Sequence, residues 1–162
     1  MDKRYISDSG NKLSPEAIEK SNIPVTPKGS LLFSFKLSIG KIAFAGCDLY
    51  TNEAIISIEH DKKINLKYFY YTLPIFLVLN AKENIYGAKL LNQGLIFNTA
   101  LLYPCMSEQK NIADYLDVKT AQIDRIVETI NTQIDKLKEL RKTLINDVVT
   151  GKIKVYQEGE TI

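Results

Sequence analysis

The chain has 162 residues, 45% hydrophobic and 25% charged, and a formal net charge of +2. That length suits one ordinary domain, or a smaller domain with an elongated appendage, and excludes two full cores. The charge balance excludes a protein that coats nucleic acid or anionic membrane by charge alone, and no apolar run approaches the ~18 residues of a membrane span.

Residues 1–28 are polar and turn-rich. The opening "MDKRYISDSGNKLSPEAIEK" lacks the apolar stretch of a signal peptide, so the expected compartment is the cytoplasm. Ser14 is placed to cap a short helix with Pro15 and Glu16 in its first turn and Ile18 as its one apolar contact. From Ser30, "SLLFSFKLSIGKIAFAG" reads as short strands punctuated by Gly40 and Gly46, and "NEAIISIEH" as another, closed by the turn "EHDKK". "NLKYFYYTLPIFLVLNAKEN" reads as a helix with Leu66, Phe69, Tyr70 and Leu73 on one side, which Pro74 is expected to bend or split. "IYGAKLLNQGLIFNTALLYP" supplies a glycine-bearing loop and then a final strand ending at Pro104. Short mixed strands and helices without a repeated βαβ period predict an α+β domain. Cys47 and Cys105 lack metal-ligand spacing and are expected as buried free thiols.

The last element starts at Ser107, where a capping hydroxyl forms half of a capping box and Glu108 meets the positive end of the helix dipole. The pattern then runs unbroken to Thr150, which at the helical rise is roughly 65 Å. That exceeds the width of a domain of about 105 residues, so part of the helix is expected to project. Leu116, Ile123, Ile130, Leu137 and Leu144 recur every seven residues, flanked by half-filled rows that hold Ile126 and Leu140 on one side and Val127, Ile134 and Val148 on the other. Each of these residues left in water forgoes roughly 1.5–3 kcal/mol. The first turns, around Ile112 and Leu116, are expected to pack on their own domain. The distal half requires a partner helix, and the chain offers no second helix of that length. The polar Gln133 could set register or lie on a solvated flank.

Enzymatic signatures are missing. No glycine-rich phosphate loop, dinucleotide fingerprint or nucleophile elbow occurs, and "TGKIK" lacks the first glycine and the hydroxyl residue of a phosphate loop. The single His60 has no second ligand at metal-binding spacing, so no metal site and no catalytic residue are expected. Asp117, Asp124 and Asp135 read as the solvated face of the helix.

The stretch from Glu108-Gln109 through Ile112-Ala113, Leu116-Asp117 and Lys119-Thr120-Ala121-Gln122-Ile123-Asp124 to Val149-Thr150-Gly151-Lys152-Ile153 resembles the spacer helix of DNA-specificity subunits of type I restriction-modification systems. Upstream, Pro27-Lys28-Gly29-Ser30-Leu31-Leu32-Phe33-Ser34, the turn Ser38-Ile39-Gly40-Lys41, the strand "TNEAIISI" and the run "YGAKLLNQGLIFNTALLYP" are similar to the C-terminal portion of that family's target recognition domain. The resemblance covers about residues 5–153. It implies a target recognition domain over residues 1–106 that lacks its N-terminal strands, a long coiled-coil spacer helix over 107–152 and a tail over 153–162. It also implies a subunit without chemistry of its own, which binds double-stranded DNA at a split site. Methyltransferase subunits of the same system would be partners, and S-adenosylmethionine and ATP would be bound by partner subunits. Members usually carry two recognition domains and two antiparallel helices; a single domain with one helix implies pairing with a second copy or with another specificity polypeptide. The alternative is a truncated specificity fragment that acts only as a protein-interaction module through its helix.

Reading DNA requires hydrogen-bonding side chains at base edges and cations at phosphates. Two segments offer both. In "SFKLSIGK", Ser34, Lys36, Ser38 and Lys41 alternate with Phe35, Leu37 and Ile39, so an extended strand would turn the polar set outward. In "IYGAKLLNQG", Tyr86, Lys89, Asn92 and Gln93 surround Gly87 and Gly94, where sharp turns are possible. Ordinary turn residues on a solvated rim would look the same.

Overall fold

The computed structural model describes residues 3–21, 23–36, 38–87 and 89–155, so Leu37 and, in the expected tail, residues 156–162 lie outside it. The chain divides into two units, residues 1–116 and 117–162. The first is the α+β domain expected. Its chain order is β1 (Tyr5–Ile6), α1 (Pro15–Ser21), β2 (Leu31–Ser34), β3 (Ile42–Ala45), β4 (Ile55–Ile58), α2 (Leu66–Leu79), β5 (Lys82–Glu83), β6 (Lys89–Leu90) and α3 (Gln93–Phe97), followed by the start of α4 (Met106–Val149).

The main sheet has strand order β1-β3-β2-β4, with β1 parallel to β3 and the other pairs antiparallel. The run Leu31–Ser34 is apolar except for Ser34, and it takes an inner position in the sheet, buried along its whole length. Leu31, Phe33 and Phe44 join Phe69, Leu73 and Leu77 of α2 in one core. Leu32 points the other way, to the floor of a cleft of about 1000 Å³ whose apolar lining includes Ile6, Leu13, Ile18, Leu49 and Ile55. Ser14 caps α1 as expected, its hydroxyl accepting the Ala17 N–H at 3.2 Å. The edge strand β1 was not expected; its two residues are strand only through pairing with Phe44 and Ala45.

In α2, the Asn65 side chain caps the first turn by accepting the N–H groups of Lys67 and Tyr68. Pro74 does not split it, and the helix runs through all 14 residues. An interior proline costs about 3 kcal/mol, whereas Leu73 and Leu77, both buried, contribute about 1.5–3 kcal/mol each. Packing therefore outweighs the lost hydrogen bond.

The final strand expected after the glycine loop is a different structure. Asn92 caps the short helix α3, accepting the Leu95 N–H at 2.9 Å, and an irregular segment then leads to Pro104. Side chains hold that region in place: Asn80 donates to the Leu95 carbonyl and to Thr99 Oγ1, and Tyr68 donates to the Leu102 carbonyl. Tyr103 donates to the carbonyl of Lys63. Within the irregular segment the Leu102 carbonyl is thus met by a side chain where a strand partner was expected.

Helix α4 starts at Met106, ahead of the expected Ser107 cap. Cys105 occupies the cap position, and Glu108 reaches back so that its Oε2 accepts the Cys105 N–H at 3.3 Å. The carboxylate half of a capping box is therefore present, and the hydroxyl half is not. Cys105 is exposed and Cys47 half-buried, so neither is the buried thiol expected; Cys47 donates to the Ser7 carbonyl, and Cys105 lies beside Glu108.

The first turns of α4 meet the domain along the row of Leu116, which is half-buried as expected, continued one heptad back to Gln109. Gln109 is only 1% exposed and Ala113 is fully buried, while Ile112 is exposed. Gln109 Oε1 accepts the N–H of Asn65 at 2.9 Å, and its Nε2 donates to the Pro104 carbonyl at 2.9 Å. One amide thus joins the start of α4, the cap of α2 and the segment before α4.

Candidate nucleic-acid interface

The first candidate segment leaves the sheet between β2 and β3. The Ser34 N–H donates to the Lys41 carbonyl at 2.9 Å and its own carbonyl accepts the Gly40 N–H at 3.1 Å, so the chain turns back on itself between Ser34 and Gly40, where an extended strand was expected. Ser34 is 8% exposed and belongs to the buried inner strand, which removes it from any contact with DNA. Lys36, Ser38 and Lys41 remain on the outside. Gly40 has φ +87°, and a Cβ there would lie 2.9 Å from Val78 Cγ2, so the turn seats on the C-terminal end of α2 through the missing side chain.

Lys36 has a partner within the protein. Its Nζ lies 3.3 Å from Glu53 Oε1 on the connection between β3 and β4. A hydrogen bond from the Glu53 backbone amide, and then Lys36, hold the Glu53 carboxyl below its ordinary value. The pair is solvent-exposed, where such contacts contribute little, and a phosphate can exchange for the carboxylate.

The second segment begins where α2 ends. Lys82–Glu83 and Lys89–Leu90 form a two-stranded antiparallel ribbon in which Lys82 faces Leu90 and Glu83 faces Lys89. Its tip is a tight turn: Asn84 Oδ1 accepts the Tyr86 N–H at 2.9 Å, the Asn84 carbonyl accepts the Gly87 N–H at 2.9 Å, and Gly87 has φ +75°. Ile85 and Tyr86 are 91% and 86% exposed. Lys89 is exposed, Leu91 is buried and anchors the return strand, and Asn92 and Gln93 follow on the surface at the start of α3. The Asn92 carboxamide oxygen already serves as the helix cap, and Gly94 lies inside α3 and shapes no turn.

Seven of the eight polar residues expected to meet DNA are therefore at the surface, on two segments that both adjoin the C-terminal end of α2. Sequence reasoning passed over two features. The Arg4 guanidinium lies 4.9 Å from the ring centre of Tyr70 and 5.8 Å from those of Phe44 and Tyr71, and Tyr5 stacks on Phe44. Those contacts join residues far apart in the chain and left no local signal. Ile85 was legible, as an isolated apolar residue between Asn84 and Tyr86 in a turn.

On α4, Leu116 is half-buried within the first unit. In the second unit Ile123, Ile126, Val127, Ile130, Ile134, Leu137, Leu140 and Leu144 are 43–64% exposed, and Val148 is 36% exposed. Among the described residues no cluster of three or more His, Cys, Asp or Glu side chains is arranged to hold a metal, and no helix is long and apolar enough to cross a membrane.

The profile of the family described as type I restriction modification DNA specificity domain matches residues 2–138, across the recognition unit and into the long helix. The chain belongs to that family. The type I restriction enzyme EcoBI specificity subunit of Escherichia coli is 32% identical over 104 residues, 63% of this chain and 22% of the relative. The MjaIX specificity subunit of Methanocaldococcus jannaschii is 23% identical over 146 residues, 88% of this chain and 33% of the relative. The chain thus spans between a fifth and a third of the curated relatives it matches. A solved chain from work on complex assembly and conformational transition of the type I R-M system shares the fold, with a TM-score of 0.62 at 16% identity over 76% of this chain and 31% of that one.

Proposed function

We propose that this chain is a DNA-recognition half of a type I specificity subunit, without catalytic activity of its own. In the cytoplasm it would direct methyltransferase and restriction subunits to a split sequence. S-adenosylmethionine and ATP would be handled by those partners. The observation that carries this reading is the continuity of the family match from the recognition unit into α4. Lys36, Ser38, Lys41, Tyr86, Lys89, Asn92 and Gln93 supply donors and cations of the kinds that meet base edges and phosphates.

The uncovered row on α4 supports pairing through the helix, with a second copy as the partner. Residues 106–130 of α4 carry Glu108, Asp114, Asp117, Asp124 and Glu128 against Lys110, Lys119 and Arg125, whereas residues 131–149 carry Lys136, Lys138, Arg141 and Lys142 against Asp135, Glu139 and Asp147. An antiparallel pair sets the acidic half of each helix beside the basic half of the other. A parallel pair would set like beside like. Antiparallel pairing also separates two recognition units, as a split target requires.

The test is selection from a pool of random duplexes by the full chain together with the methyltransferase subunit of its system. Enrichment of a two-part motif with a fixed gap supports the reading. Co-purification with the methyltransferase but no enriched motif would leave the chain as an interaction module only.

A further inference from the structure

We infer that the β5–β6 ribbon enters the DNA major groove tip first, and that Ile85 reads the methyl group of a thymine there. The inference rests on the functional reading above and goes beyond it by naming the groove, the orientation and the atom read.

Four observations lead to it. Ile85 and Tyr86 together are 91% and 86% exposed at the end of a ribbon, a poor place for an isoleucine that meets only water. The turn that carries them is fixed by two hydrogen bonds that the Tyr86 and Gly87 N–H groups donate to Asn84 and by the positive φ of Gly87, so the tip presents these side chains in a set direction. The ribbon register puts Lys82 and Lys89 on opposite faces, one for each phosphate wall of a groove. Glu83 opposes Lys89 and offsets part of its charge, so Lys82 carries the larger share of the attraction.

Dimensions select the groove. A two-stranded ribbon with its side chains is about 10 Å thick, as packed sheets are. The major groove is about 12 Å wide and the minor about 6 Å, so only the major groove admits the ribbon without deforming the duplex. Within it, the thymine 5-methyl is the apolar group on a base edge, and a branched aliphatic side chain is suited to meet it. The Tyr86 hydroxyl, beside it on the tip, can donate to an N7 or O4 acceptor or to a phosphate.

Replacing thymine by deoxyuridine removes that methyl and leaves every hydrogen bond. The duplex that the wild-type chain and its methyltransferase recover from the random pool is resynthesised with each thymine changed in turn. One replacement should weaken wild-type binding by about fourfold, the worth of one buried methyl group. Ile85→Ala should bind the parent duplex about fourfold less well and be indifferent to that same replacement. Since Ile85 is almost wholly exposed, an unchanged melting temperature is expected to confirm that the variant is folded. Lys82→Ala should lower the salt slope of binding to random-sequence duplex by about 0.9. A recovered motif without thymine, replacements that change nothing, or a replacement felt equally by wild type and Ile85→Ala would each overturn the ribbon proposal while leaving sequence recognition standing. Failure of the wild type to recover any motif would overturn the functional reading and the ribbon proposal together.

Discussion

Gln109 joins three parts of the recognition unit through one side chain, and its loss should be felt across the domain. In Gln109→Leu the volume is nearly kept, but the Asn65 N–H and the Pro104 carbonyl lose their 2.9 Å partners. Each bond contributes about 0.5–1.5 kcal/mol, and leaving a buried partner unmet costs about 1–3 kcal/mol. Asn65 and Pro104 are half-buried, so the lower part of that range applies and the total is about 2–4 kcal/mol. For a unit of this size that lowers the melting temperature by about 8–16 °C. Urea unfolding followed by tyrosine fluorescence should show the same loss with an unchanged m-value. Gln109→Glu offers a sharper form of the test. Its carboxylate keeps the Asn65 bond but opposes the Pro104 carbonyl, and only the protonated acid can donate there. Its folded pKa should therefore be raised, so stability is fully present only below the ordinary glutamate value and is lost as pH rises from there to the raised folded value. A Gln109→Leu protein within about 0.5 kcal/mol of wild type would refute the role given to this residue.

Other consequences can be measured separately. Ile130→Asp places a charge at the middle of the apolar row on α4 and should convert the paired chain to monomer in light scattering; pairing that survives it would place the contact elsewhere. Gly40→Ala imposes a side chain where φ is +87° and Val78 stands 2.9 Å away, a strain of about 1–3 kcal/mol that should appear in thermal unfolding. Glu53→Gln removes the carboxylate that engages Lys36 and should steepen the salt slope of DNA binding, whereas Lys36→Ala should lower it by about 0.9. Because the Glu53 carboxyl is held below its ordinary 4.5, the Lys36 pair persists through the neutral range and is lost only as pH falls below that value. No pH dependence from this pair is expected near neutrality, and a change in the slope there would contradict the assignment.

The parts of the molecule that could be read from sequence are those set by local pattern. The uninterrupted period of α4, the apolar run of β2 and the one-sided stripe of α2 each carry their own signal within a few turns or residues. What was not legible depends on distant partners. "LIFNTALLYP" has strand-like composition, yet Asn80 and Tyr68 meet the Leu95 and Leu102 carbonyls, Tyr103 is tied to the Lys63 carbonyl, and no strand forms. Ser34 looks like a polar residue alternating outward, but β2 lies between β3 and β4 and is covered on both faces. Gln109 lies one heptad before Leu116, in line with the apolar row, but as a polar residue it gave no signal of burial; it is among the most buried side chains because its two partners come from residues 65 and 104. The surface candidates were found because glycines and polar residues mark turns, while their common location beside the C-terminal end of α2 needed the fold.

The most direct measurement is the ratio of affinities of the full chain, bound to its methyltransferase subunit, for its selected duplex and for a scrambled duplex of equal length at physiological salt. Sequence recognition predicts a ratio of at least about 10³. Equal affinities, both falling steeply with added salt, would show attraction to phosphate alone and contradict a role in reading DNA sequence.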